Sequence, residues 1–363
     1  MAVNRPTRTS SRNPNSEPVA ANTRVTNRTR PNLKKAPKKS SFIYPFLGVC
    51  LHLAILGLGL SVITGTTIAF FNKNQIPTTV AATVDLPIPE TSEPKPQVPT
   101  TKTELTALTT KINALTKTEP DISMAVFITD SDGGGYVNIK GSSSIAAASM
   151  IKIPLLVAFL EDVDAGKARL DEQLIISKDV IVGHAGGLQY EPVGTKISAL
   201  ETLTLMIIIS DNTATNMIMK RIGGMKVANQ RFQSWGLPST VIRNPLPDLT
   251  GTNTTSPEDL VNLLSTVEQG KILSARSRDR LIDIMRRTKT NTLLPQGIPS
   301  EARIAHKTGD IQSVVGDAGM IDMPSGKRYF ISAIAKRPTN DQRANELIRK
   351  ISRTVYVHLD NIN

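Results

Sequence analysis

The chain has 363 residues, with 43 Lys and Arg against 31 Asp and Glu, and a net charge of +12. Residues 1–41 hold ten of the cations (Arg5, Arg8, Arg12, Arg24, Arg28, Arg30, Lys34, Lys35, Lys38, Lys39) and one acid, Glu17. That segment carries +9 and leaves only +3 for the rest, which excludes a nucleic-acid-binding charge pattern over the bulk of the chain. The single cysteine is Cys50, so disulfides and thiol catalysis are excluded from everything after it.

The basic segment 1–41 is rich in Pro, Asn, Thr and Ser, cannot bury a core and reads as a disordered tail. From Phe42 to Phe71 there is no Asp, Glu, Lys or Arg. The stretch from Phe46 onward would span roughly 39 Å as a helix, enough to cross a hydrocarbon core of about 30 Å. We expect a transmembrane helix over 42–71. The basic block before it, with only Lys73 soon after it, places the N-terminus in the cytoplasm and the bulk of the chain on the outer face of the inner membrane, in the periplasm. A cleaved signal peptide ending at Ala82 is the competing reading. The long basic region and the length of the apolar run argue against it. Cys50, in "LGVC", begins the apolar run instead of ending it and reads as membrane packing, not a lipid-attachment site. Residues 72–100 hold six prolines (Pro77, Pro87, Pro89, Pro94, Pro96, Pro99) and read as an extended tether.

From residue 101 to 363 the pattern is globular. Leu105, Leu108, Ile112 and Leu115 recur at helical spacing. "ISMAVFIT" (122–129), the turn "DSDGGG" and "YVNIKG" predict a β-hairpin. Helices are expected over 150–164, over 199–209 with a capping box from Ser198 to Glu201, over 212–222 stopped by Gly223-Gly224, and over 257–269 opened by Ser256-Pro257. Strands near 302–309, 314–322 and 328–336 precede a last helix at 340–358. Strands at both ends with helices between them imply one mixed α/β (α+β) domain whose sheet is completed by distant parts of the chain.

In "AAASMIKIPLL" Ser149 precedes Lys152 by three positions, and i and i+3 share a helix face. The hydroxyl and amine could therefore meet, beside N–H groups that a helix start leaves free. Alone, the spacing is weak: roughly one Ser-x-x-Lys arises by chance in such a chain, and Ser92 to Lys95 in the tether is one. Taken by itself, it is better explained by a capping serine and a snorkelling lysine. Two further stretches alter the balance. Ser210-Asp211-Asn212 falls between two helical runs, and Lys307-Thr308-Gly309 lies on a late strand. Specified tripeptides of this kind arise by chance only about 0.05 to 0.2 times per chain.

In that order, these three elements resemble the S-x-x-K, S-D-N and K-T-G of the active-site serine penicillin-recognising family, the class A β-lactamases and penicillin-binding proteins. The flanking "GGLQYEPVGTKIS" and "SDNTATNMIMKRIGG" agree. The resemblance covers residues 101–363 and implies a β-lactamase/DD-peptidase fold, an antiparallel sheet flanked by helices with a large all-helical subdomain. It implies that Ser149 attacks a carbonyl to form an acyl-enzyme, with neutral Lys152 as its base and Lys307 as the cation that helps keep it neutral. Ser210 would relay the proton to the leaving nitrogen. Lys307 and Thr308 of the Lys307-Thr308-Gly309 element would bind a substrate carboxylate, and Asn212 a substrate amide. The backbone N–H groups of Ser149 and Asp310 would form the oxyanion hole. The implied substrate is an acyl-D-Ala-D-Ala stem peptide of peptidoglycan, or a β-lactam that mimics it. No metal or organic cofactor is implied.

Class A β-lactamases carry a water-activating glutamate in an E-P-E-L-N stretch. The matching "NPLPDLTGTNTTSPEDL" puts Leu246 there, or Pro245 if shifted by one, and neither can accept a proton. This departure points to the class A-like penicillin-binding proteins of type A, which are D-alanyl-D-alanine peptidases, with a hydrolytic β-lactamase as the alternative. Asp248 and Glu191 are the acids to test as substitute bases. Tyr190 is a candidate for the cleft wall, and "GHAGG" (183–187) reads as a turn. His52, His184, His306 and His358 show no metal spacing and read as structural or surface residues. The charged "DQRANELIRKISR" reads as a solvated helix face. Two other classes are disfavoured. A signalling receptor would need a cytoplasmic effector that the tail lacks, and nucleic-acid binding is unnecessary once membrane orientation accounts for the tail's charge.

Overall fold

A computed structural model describes residues 103–361. The expected cytoplasmic tail (1–41), membrane span (42–71) and tether (72–100) lie outside the described residues, as does Cys50. Among the described residues no helix is long and apolar enough to cross a membrane.

The first strand, β1 (Thr103–Glu104), leads into helix α1 (Thr106–Thr116), and β2 (Ser123–Asp130) and β3 (Gly135–Ile139) form the expected hairpin. The sheet is completed from the other end of the chain by β8 (Arg303–Ile311), β9 (Val314–Asp322) and β10 (Arg328–Lys336), giving the order β1-β3-β2-β10-β9-β8. β10 pairs with β2 antiparallel, Ile331 opposite Ile128. The sheet is antiparallel, as expected, apart from its edge, where β1 pairs with β3 in parallel, Thr103 opposite Gly135. The short α1 crossover returns the chain to β2, so β1 can only enter at the outer edge.

Both faces of the sheet are buried, which is why its strands read as nearly continuous apolar runs. In β10, Phe330 and Ile334 point into one core, while Tyr329, Ile331, Ala333 and Ala335 point into the other. The second core is closed by α1 and the C-terminal helix α8 (Arg343–Asp360). The first is closed by the helical region between the hairpin and β8. At its centre lies α2 (Lys152–Asp164), in which Ile153, Leu155, Leu156, Val157, Ala158, Phe159 and Leu160 are all fully buried, so it is apolar all round. Pro154 is tolerated in its first turn because those N–H groups have no intrahelical partner.

Around α2 pack α3 (Ala199–Ile208), α4 (Asn212–Arg221), α5 (Gly224–Ser234), α6 (Pro257–Glu268) and α7 (Ala275–Arg286). The expected caps form at Ser198, which accepts from the Glu201 N–H, and at Ser256, which accepts from Asp259; Asp211, not singled out as a cap in the sequence, caps α4 by accepting from Ala214. Helices α5 and α7 were not expected. The first begins directly after the Gly223-Gly224 stop, and the second is dominated by charged residues, with Leu281, Ile282, Ile284 and Met285 as its buried side. Short pairs join the loops: β4 (Ile145–Ala146) with β7 (Thr254–Thr255), and β5 (Gln173–Ile175) with β6 (Lys196–Ser198).

Candidate active site

Ser149 does not open an α-helix. It sits in a 3-10 turn, Ala148–Ile151, that runs into α2, and neither its side chain nor any other caps these elements. The capping reading is thereby removed. The preceding Ala148 has φ +44°, a left-handed conformation that is costly for a residue with a Cβ. Strand β8 lies against this turn. A Cβ on Gly309 would come within 3.0 Å of the Ala148 Cβ and 3.1 Å of the Ala147 carbonyl, so any side chain there would push the turn away from the strand.

Lys152 begins α2 and is completely buried. Its Nζ lies 3.1 Å from Ser149 Oγ, 2.9 Å from Ser210 Oγ, 2.7 Å from the Ser210 carbonyl and 2.9 Å from Asn212 Oδ1. Ser210 Oγ is also 2.9 Å from Ser149 Oγ. Ser210 itself is held at φ +60° in the loop between α3 and α4. Asn212 donates its Nδ2 to the Gly183 carbonyl at 3.0 Å, which turns its Oδ1 toward the lysine. Two of the four neighbours, a backbone carbonyl and an amide oxygen, can only accept. A neutral amine has two N–H groups for them, and its lone pair remains for the Ser149 hydroxyl. Burial, and then the charge of Lys307, holds the Lys152 amine well below the ordinary lysine range, against an opposing pull from Asp211. The arrangement can therefore take a proton from Ser149 and return it through Ser210.

Lys307 is 1% exposed and donates to its neighbour's carbonyl, Thr308, at 2.9 Å. Burial brings its pKa down to about 8, opposed by Asp317. Asp317 in turn sits across β9, where both of its carboxylate oxygens meet His306 Nδ1, at 2.9 and 3.0 Å, and one also receives the Leu294 N–H. His306 is thus structural. Thr308 is nearly buried on β8 opposite Asp317, and Asp310 pairs with Val315 near the strand's end. The Asp310 carboxylate is bonded to the buried Arg337 guanidinium; burial pushes its pKa up against that cation's pull.

Ser149, Asn212 and Asp310 share a cleft of about 220 Å³ with Ala148, His184, Ala185, Leu246, Pro247, Asp248, Leu249 and Ile311. The "GHAGG" turn is therefore more than a connection, since it forms one wall. It is anchored by Asp211, whose Oδ2 accepts the Leu188 N–H at 2.9 Å, and by the Ala185 carbonyl, which accepts the Asn212 N–H at 3.2 Å. Gly186, at φ +90°, leaves no room for a side chain, because any Cβ there would overlap the Asp211 carboxyl. Leu246 lies on the opposite wall, 5% exposed, with its backbone clasped by Asn216: Nδ2 donates to its carbonyl at 2.8 Å and Oδ1 accepts its N–H at 3.0 Å. Asp248 lines the cleft, but its carboxylate receives the Asn253 N–H at 2.6 Å and the Thr252 hydroxyl at 2.9 Å. Tyr190 is 82% exposed and, with Glu191, is not among the residues lining this cleft. Among the described residues no group of His, Cys, Asp and Glu is placed to hold a metal.

A serine bonded to a buried lysine and a second serine, at the end of a strand carrying a second buried lysine, defines a class of acyl-transferring serine site. The chain belongs to the β-lactamase enzyme family, whose model matches residues 107–359. The solved structure of PBP-A is 52% identical, with a TM-score of 0.71 over 72% of this chain and 98% of that one; a leucine-to-glutamate variant of PBP-A, solved as an acyl-enzyme complex with penicillin G, matches equally well. A β-lactamase from Chitinophaga pinensis is 26% identical, with a TM-score of 0.66 over 70% of this chain and 99% of that one. The curated β-lactamase AER-1 of Aeromonas hydrophila is 32% identical over 201 residues, which span 52% of this chain and 64% of that protein. The fold is the mixed α/β fold of the class A β-lactamases.

Proposed function

We propose that the chain is a serine D-alanyl-D-alanine peptidase, a penicillin-binding protein held at the outer face of the inner membrane by residues 42–71. Its substrate is the D-Ala-D-Ala end of a peptidoglycan stem peptide. Ser149 attacks the penultimate carbonyl while Lys152 takes its proton, and Ser210 hands that proton to the leaving amine. Charged Lys307 and the Thr308 hydroxyl meet the terminal carboxylate, Asn212 meets the acyl-side amide, and the Ser149 and Asp310 N–H groups receive the oxyanion. A β-lactam enters the same ester, which then breaks down slowly.

One observation carries this reading over turnover of β-lactams. Of the carboxylates lining the cleft, Asp248 is engaged by Asn253 and Thr252, and Asp310 by Arg337, while Leu246, which the sequence resemblance aligns with the β-lactamase glutamate, has no carboxyl to offer. No free carboxylate in that lining can activate water in the way a β-lactamase needs. The 52% identity with PBP-A supports it further. Turnover of β-lactams is the second reading, favoured by curated relatives named as β-lactamases, AER-1 and VEB-1 among them. The test is D-alanine release from an N-acylated peptide ending in D-Ala-D-Ala. Release that is lost in Ser149→Ala supports the peptidase. Absence of release, together with rapid consumption of penicillin, replaces it with the β-lactamase.

A further inference from the structure

Resting on the peptidase reading, the geometry points to His184 as the general base that activates the acceptor, water or an amine, in the second half-reaction. The cleft lining holds three acids or bases beyond the serine: Asp248, Asp310 and His184. Both carboxylates are committed to neighbours, as described above, whereas the exposed His184 imidazole has no hydrogen bond or ion pair among the described residues. Its position is not that of a casual surface residue. The backbone is held at φ +71°, which a side chain other than glycine adopts at some cost, with asparagine and histidine better tolerated than most. The carbonyls on either side of it, Gly183 and Ala185, both accept from Asn212, the residue that also bonds Lys152. The backbone on both sides of His184 is thus held by one residue, through the Asn212 side chain at Gly183 and the Asn212 N–H at Ala185, and His184 lines the cleft that also holds Ser149.

The step balances without a further reagent. The imidazole nitrogen takes the proton of the acceptor O–H or N–H as the acceptor's lone pair bonds to the ester carbon. The ester bond to Ser149 Oγ then breaks, and Oγ takes a proton through the neutral Lys152 and Ser210 relay. The imidazolium returns the acceptor's proton to that relay through the solvent in the cleft, which restores every group to its starting state. Unlike a β-lactamase glutamate, a rim imidazole reaches an acceptor entering from solvent and is covered by any bulky group that remains on the acyl carbon. Opened penicillin leaves such a group and D-alanine does not, which accounts for slow release of one and turnover of the other.

The experiment compares His184→Asn and His184→Gly with the wild-type full-length chain, because both replacements accept a positive φ and remove the base. The expected result with the D-Ala-D-Ala peptide is that the acyl-enzyme, seen by intact mass, accumulates in both variants. Release should fall at least about tenfold more than acylation, within the range of a lost general base, and added imidazole should restore release. Equal slowing of both steps would make His184 structural and overturn the proposal, as would release that persists at the wild-type rate. Failure of the peptidase reading itself looks different: the wild-type chain would then release no D-alanine.

Discussion

The turn bearing Ser149, with strand β8 against it, and the loop from Asn244 to Asn253 across the cleft are both tightly anchored, but they spend their charges differently. On the first side two lysines are buried without a direct carboxylate partner, Lys152 and Lys307, so both are pushed toward the neutral form. On the second side the Asp248 carboxylate is hydrogen-bonded within its own loop by Asn253 and Thr252, and Leu246 lines the cleft beside it. Burying an amine among acceptors produces a base for attack; tying a carboxylate into a loop produces stability and no base. The two half-reactions of one serine enzyme are therefore equipped separately, and one can be complete while the other is not.

The largest way to break this contrast is on the acylating side. Lys152→Met keeps the volume and removes the base, and we expect acylation by benzylpenicillin to slow by about 10³-fold, read as adduct growth by mass spectrometry. The pH profile sharpens the same point. Acylation needs Lys152 neutral, so its rate rises as that amine loses its proton, at a pH well below the free-lysine range. Lys307 must stay charged to hold the substrate carboxylate, so the rate falls again as pH rises through about 8. Lys307→Arg keeps its charge at every accessible pH and should remove the falling limb even if the plateau is lower.

On the other wall, Leu246→Glu supplies the missing carboxyl. At a site 5% exposed, burial would keep that carboxyl largely protonated, so release of the penicilloyl adduct should quicken by only about tenfold, short of the 10² to 10⁴ of an optimised base. The smallest effect is expected from Asp248→Asn. Losing charged hydrogen bonds to Asn253 and Thr252 should cost about 2 kcal/mol, visible in thermal melting, with adduct release changed by less than about twofold. A larger drop in release would make Asp248 the base.

Much of the acylating side was legible in the sequence because its chemistry demands particular residue types at short spacing: Ser149 with Lys152, Ser210 with Asn212, Lys307 with Gly309. Helices α3 and α6 were legible for a similar reason, since each opens on a side-chain cap that acts within three residues. What escaped depends on distance along the chain. The wall at 183–187 exists through bonds to Asp211 and Asn212, more than twenty residues away, and nothing in "GHAGG" itself distinguishes a cleft wall from a turn. Helix α7 escaped because its apolar side is narrow amid charges, and the parallel edge strand β1 because two residues carry no periodicity. The 3-10 turn under Ser149 lies against Gly309 of β8, a contact between residues 160 apart that no local pattern announces.

The central claim is that this cleft forms a penicilloyl ester faster than it can break it. It is tested most directly by loading the full-length chain with benzylpenicillin, removing the free drug and following the intact mass. The account predicts an adduct of one drug mass on Ser149 that outlives its formation by at least about 10³-fold, the order of one missing general base. Return to the bare mass as fast as the adduct forms would contradict it.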